Sequence, residues 1–312
     1  MSLQRFGRRP LAGFAAQSSS LTTRLFSVST AFRNAPVSTP GTTPKKPHTI
    51  DPRWLTMTKR RIGRCMMFGL KPPQIQEAGE ILQQIARDWR ELIAGSEGYL
   101  TDETRRGLFQ QSVAWGEMAL ALNRTAWVCI LLSKATLGHV NNVTYPRYAE
   151  TARVYYTRNF AMHIDPAHKT EWLNLVSSKG IGLILRSIKI DYKFPMTYPD
   201  KVTVYHKLVH DPTSPDAPRH GFYLHAMIVS EARQRPAARV SEDLVIYDYK
   251  AIKKAELPPF IMEQFKSTWD LQEKAKKYWQ ERILDIETRV RTLETESWDR
   301  EDAVEDTGSA KQ

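Results

Sequence analysis

Hydrophobic positions recur at helical spacing near both ends of this chain and at strand spacing in between. From Pro72-Pro73 to about Ala94, Ile75, Ala78, Ile81, Leu82, Ile85, Trp89 and Leu92 return every three or four residues. That period predicts an amphipathic helix, stopped by Gly95 and Gly98. Before it, Trp54, Met57, Ile62 and Met66 are loosely spaced on a basic segment ending near Gly69. The two segments read as a helical arm over 50–108 that packs on the domain after it.

From 109 the pattern changes. Residues 109–118 can form a strand, and Asn142 to about Asn159 reads as a helix. Asn142 is its expected N-cap, and Pro146 is tolerated only because it falls in the first turn. Four strand-like segments follow: Ile181–Phe194, Val202–Val209, Gly221–Ala232 and Arg239–Asp248. In the first, Ile188, Ile190, Tyr192 and Phe194 alternate with Lys189, Asp191 and Lys193, a period of two that predicts one buried face. Strand, helix, then a run of antiparallel strands predicts an α+β domain over 109–265, one helix packed on a curled sheet. Finally, Pro259 to about Glu296 is strongly helical, and the remainder of 266–312 is a polar tail. Trp279, Ile283, Ile286, Val290 and Leu293 are spaced 4, 3, 4, 3. This short heptad seam suits packing on its own domain or a coiled coil with a protein partner.

Composition narrows the class. The 312 residues are 41% hydrophobic and 25% charged, which excludes wholesale disorder and a fibrous repeat. The longest apolar run, Ala126–Leu132, is far short of the roughly 20 residues a membrane helix needs, so no span is expected. Two cysteines, Cys65 and Cys129, give neither a disulfide framework nor a cysteine-rich zinc module.

Charge adds an address. Of the net +11, +7 lies in residues 1–46, which carry Arg5, Arg8, Arg9, Arg24, Arg33, Lys45 and Lys46 and no acid. On a helix, Leu3, Phe6, Leu11 and Phe14 would form an apolar stripe against the arginines. That is the signature of a mitochondrial transit peptide over 1–33, followed by a Pro- and Thr-rich linker over 34–49. Cleavage near Asn34 would leave a matrix protein with little excess charge, so the high pI does not predict nucleic-acid binding.

One motif carries chemistry. Gly138-His139-Val140-Asn141-Asn142-Val143-Thr144-Tyr145-Pro146-Arg147-Tyr148-Ala149-Glu150-Thr151-Ala152-Arg153 resembles the 4-hydroxybenzoyl-CoA thioesterase branch of the hot-dog superfamily. The resemblance implies a hot-dog fold, an antiparallel sheet wrapped around a central helix. It implies homodimers with acyl-CoA sites at the interface. It implies hydrolysis of a thioester, with no cofactor, by a carboxylate base or nucleophile and an oxyanion hole at the helix N-terminus. His139 and Asn142 are candidate catalytic residues. Gly138, Val140, Asn141 and Tyr145 are candidate substrate contacts. His139 also suits steering of the turn, the asparagines suit turn and cap roles, and Tyr145 suits packing on the sheet.

The family's carboxylate, an Asp three residues before the Gly, is here Ala135. Another hot-dog branch places its carboxylate on the helix, which makes Glu150 the fallback base; its ordinary alternative is an ion pair with Arg147 or Arg153. The family's upstream strand ends much like Trp115-Gly116-Glu117-Met118, yet Gly138 follows only after residues 119–137. Three readings fit: a translated, unremoved intron, a true insertion in an inactive relative, or a first strand at Ala126–Ser133. Loss of the Asp favours a second function, an inactive acyl-binding or assembly protein of a mitochondrial complex. No dinucleotide loop, nucleophile elbow or metal-ligand spacing is present in the sequence.

Overall fold

Helix-forming runs bracket the sheet, and the way their apolar stripes are satisfied sets the architecture. The computed structural model describes residues 51, 53–113 and 138–304. The expected leader and linker, Cys129, Glu117, Ala135 and the segment 119–137 lie outside the described residues.

Helix α1 (Trp54–Met67) and α2 (Pro72–Ile93) form the arm. A short 3-10 turn (Gly95–Glu97) ends at Gly98, whose φ of 87° is the left-handed cap that glycine adopts without strain. Strand β1 (Gln111–Ser112) precedes α3 (Thr144–Asn159), which runs on through a π-turn (Phe160–Ile164). Helix α4 (Lys169–Asn174) leads to β2 (Ile181–Tyr192), β3 (Lys201–Leu208), β4 (Gly221–Ser230), β5 (Arg235–Asp248) and β6 (Lys253–Lys254). Helix α5 (Pro259–Glu296) closes the described chain.

The sheet is antiparallel throughout, in the order β1-β3-β4-β5-β2, with β6 also pairing β5. It curls around α3, the α+β hot-dog arrangement expected. Tyr145, Tyr148, Ala149 and Ala152 of α3 pack on Val202, Val204, Ala226, Ile228, Ala238 and Val240. Farther along, Tyr156 and Phe160 pack with Leu208, Leu224 and Leu244. The opposite face of the sheet offers Tyr205, Met227 and Val229 to the arm and α5.

A bulge at Arg186 in β2 explains that strand's sequence pattern. Pairing slips between Leu185 and Ser187, so Leu183, Leu185, Ile188, Ile190 and Tyr192 all sit opposite the α3-facing residues of β5. The expected one-sided burial fails in part. Ile190 is packed, but Ile188 is 38% and Tyr192 46% exposed. The reason is position: β2 is the sheet's edge, with no strand beyond it among the described residues. Strand β5 starts earlier than expected because Pro236 is accommodated at the second bulge, between Ile228 and Val229 of β4.

The heptad seam is also resolved. Ile283, Ile286, Val290 and Leu293 are buried against Trp54, Ile62, Ile81, Ile85 and Leu92. The chain's own arm takes the place of the coiled-coil partner, and uncovering the four would cost about 2 kcal/mol each.

Candidate active site at the start of the central helix

The glycine-histidine motif is pinned before α3 begins. His139 bridges Thr197, and the Val140 N–H donates to Met196 O at 2.8 Å. Val140 is fully buried beneath this contact, while Gly138 is half-buried. The chain then turns on Asn141. Its side-chain oxygen accepts the Val143 N–H at 3.2 Å, and its carbonyl accepts the Thr144 N–H at 2.9 Å. The cap therefore differs from expectation. Asn142 is not the N-cap; Val143 occupies that position without a side-chain bond, and Asn141 supplies the Asx turn.

Exposure separates the candidates into two groups. His139, Asn141, Asn142 and Val143 face solvent. Among the described residues the Asn141 and Asn142 N–H groups donate to nothing, and both lie at the positive end of the α3 dipole. Tyr145 is 1% exposed; its phenol oxygen accepts the Met196 N–H at 3.3 Å, and burial pushes its pKa up. Tyr145 is thus a packing residue in this chain, the alternative already open in the sequence.

Tyr192 also belongs here, which nothing in its local sequence announced. Its hydroxyl donates to Asn142 O at 3.1 Å, and its ring meets Tyr145 edge-on at 5.1 Å. Tyr192 and Val143, both exposed, make an open apolar shelf beside the two donors.

Glu150 stands apart. It is exposed, eight residues beyond Asn142, about 12 Å along the axis. It forms neither of the ion pairs considered for it. Arg153 reaches Glu242 of β5 instead, at 2.6 Å, with Glu242 wholly buried. His206 Nε2 lies 3.5 Å from the other Glu242 oxygen, and the Tyr156 ring is 5.6 Å from His206. Burial raises the Tyr156 phenol far above its ordinary pKa. This interior cluster was legible in principle. Period two in β5 puts Glu242 on one face with Val240 and Leu244, an acid on an apolar face that demands a partner.

No group of three metal-ligating side chains occurs among the described residues. Nor is any described helix long and apolar enough to cross a membrane.

Residues 113–265 match the family model described as thioesterase-like superfamily. Among curated proteins none matches the chain. Solved structures of similar shape include a Thermus thermophilus thioesterase complexed with coenzyme A and zinc, at 20% identity and TM-score 0.37 over 56% of this chain and 98% of that one. A Staphylococcus aureus protein in complex with coenzyme A is 11% identical, with TM-score 0.37 over 55% and 85% of the two chains. A DHNA-CoA thioesterase from the same organism is 14% identical, with TM-score 0.33 over 61% and 94%. Likenesses of this size place no residue of the site.

Proposed function

We propose that the protein hydrolyses an acyl-CoA thioester at the start of α3, within the residues 113–265 that match the thioesterase-like superfamily model. The observation that carries this reading is the pair of N–H donors of Asn141 and Asn142, unspent among the described residues, at a helix N-terminus beside an open apolar shelf. A thioester oxygen placed there gains negative charge as the carbonyl is attacked. Fixed amide donors stabilise that charge more than the neutral carbonyl. Tyr192, by holding Asn142 O, fixes the orientation of the turn that presents the donors. The shelf of Tyr192 and Val143 suits an acyl chain or the face of a second copy. We propose a homodimer paired along β2, whose outer edge has no strand partner among the described residues; sedimentation equilibrium should return twice the chain mass.

The base is the open element. Glu150 in the same copy is too far along α3 to reach a carbon held at Asn142, so it serves only from another copy. Ala135 stands where the family resemblance places an Asp. That observation favours a second reading, an acyl-binding or assembly protein that does not hydrolyse. The acid-free leader supports the mitochondrial matrix as the compartment of either.

Thiol release from short, long and aromatic acyl-CoAs separates the two. Hydrolysis predicts turnover that falls about a hundredfold in Asn142→Pro, which deletes one donor. Binding of acyl-CoA with no release of thiol by the wild type would reject the enzyme and leave the second reading.

A further inference from the structure

Helix α1 has a second face that the fold does not use. Between Asp51 and Glu77 the chain has six cations, Arg53, Lys59, Arg60, Arg61, Arg64 and Lys71, and no acid. Only Arg61 turns inward, where Glu287 and Glu294 of α5 take it at 2.5 and 2.7 Å. Arg53, Met57, Arg60, Arg64 and Met67 recur at spacings of 4, 3, 4 and 3, one stripe on the side away from Trp54, Leu55, Thr58, Ile62 and Cys65. Met57 is 47% and Met67 53% exposed. Among the described residues no ion pair involves Arg53, Arg60 or Arg64; Arg64 rests on the Trp298 ring at 3.7 Å.

The stripe is widened by the turn between β4 and β5. Lys59 Nζ donates to Gln234 Oε1 at 2.6 Å, which places that turn against α1 and brings Arg233 and Arg235 to its flank. Burial, then the charges of Arg53 and Arg233, hold Arg235 below the usual arginine range. The neighbouring acids are already engaged: Glu231 bonds Arg90, and Asp200 accepts the Ser230 hydroxyl and the Ala232 N–H.

We propose that this face docks the protein on a bilayer surface that carries anionic phospholipids. Cations in line on one side of a helix, with flexible thioether side chains between them, match a lipid interface, where arginines meet phosphates and methionines enter the acyl boundary. A single-stranded nucleic acid would favour open aromatic platforms among the cations, whereas the rings here, Trp298 and Phe194, are half-buried and covered by the guanidinium groups of Arg64 and Arg235. The proposal stands apart from the thioester reading, since α1 lies across the sheet from α3.

Vesicle flotation of the full chain tests it. Phosphatidylcholine vesicles that contain a quarter phosphatidylglycerol should carry the protein at low salt, and pure phosphatidylcholine vesicles should not. Raising the salt should release most of it. R53E/R60E should weaken partition about tenfold or more, because it reverses two charges at the surface. Met57→Ser with Met67→Ser should weaken it while leaving its salt dependence unchanged. Thermal unfolding of each variant checks that the fold is kept, and the chain from Asn34, which lacks five of the seven leader cations, should show the same salt and lipid dependence. Equal binding to both vesicle types, or partition unchanged by R53E/R60E, overturns the proposal. So does tight binding of a polyuridine oligonucleotide that R53E/R60E abolishes and anionic vesicles fail to compete.

Discussion

Arg153 is the residue where sequence and structure part most informatively. In the motif it stands as the last matching position, one candidate partner for Glu150. In the fold it turns inward to Glu242, 2.6 Å away on β5 and wholly buried. A charge buried this way is held by its partner, so removing one member leaves the other uncompensated. Glu242→Ala should destabilise the protein by about 3–5 kcal/mol in urea unfolding at neutral pH. Glu242→Gln, which keeps an acceptor for Arg153, should cost less; equal losses would mean that the charge contributes nothing. His206 faces the same carboxylate from β3, at 3.5 Å. Nothing about a lone His206 announced this, because the pairing joins residues 36 positions apart on strands separated by β4. The parity of Glu242 with Val240 and Leu244 did announce a buried acid. Asn141 and Asn142 show the finer limit. Both are turn formers, and only the bond from Val143 N to Asn141 Oδ1 decides which one shapes the helix start.

At the scale of elements, the helices were the most legible. The arm helix beginning at Pro72 and the long helix Pro259–Glu296 follow from three-four periodicity and their proline starts. The periodicity does not say what covers each stripe, and α5 is covered by α1 and α2. Polar contacts fasten that packing. Arg61 bonds both Glu287 and Glu294, and Arg289 bonds Glu77 at 2.5 Å. The Arg61 bond, opposed by burial, holds the Glu294 carboxyl below its ordinary pKa. A depressed carboxylate stabilises the fold above its unfolded pKa, about 4.3, and that contribution is lost as pH falls toward the folded value. Glu294→Gln should therefore lower the unfolding temperature at pH 7, and the gap from wild type should shrink as pH falls below about 4.3, the unfolded value. A gap that persisted in acid would assign the effect to packing rather than charge. Strand β2 shows the opposite case: its alternation was legible, but the bulge at Arg186 and its place at the sheet edge were not.

The whole molecule places a helical layer on one face of the sheet and α3 on the other. This separates two surfaces by chemistry. The α3 side presents amide donors and an apolar shelf, and the α1 side presents arginines and methionines. How the segment 119–137 enters the chain bears on the first. Trypsin would cut the sequence into Gly107–Arg124, Thr125–Lys134 and Ala135–Arg147. Peptide mass spectrometry on the native protein should show one peptide running from Gly107 through Met118 into Gly138–Arg147 if that segment is an unremoved intron. An Asp at the junction would then supply the base the thioester reading needs. Recovery of Thr125–Lys134 would instead leave Ala135 in place and put the binding reading first. The same digest should contain no peptide from residues 1–33 if the leader is removed.

The sequence by itself determined α1, α2, α3 and α5, the four long strands, their α+β order and the motif at the start of α3, but not the short α4. These rest on local periodicity, turn chemistry and residue identity, which act within a few positions. Only the tertiary structure decided that the arm covers the heptad seam, that β2 ends the sheet with Ile188 and Tyr192 uncovered, that Tyr192 reaches Asn142, and that Arg153 meets Glu242. Each of those is a contact between distant segments. Many pairings satisfy the same local pattern, and the folded packing selects one.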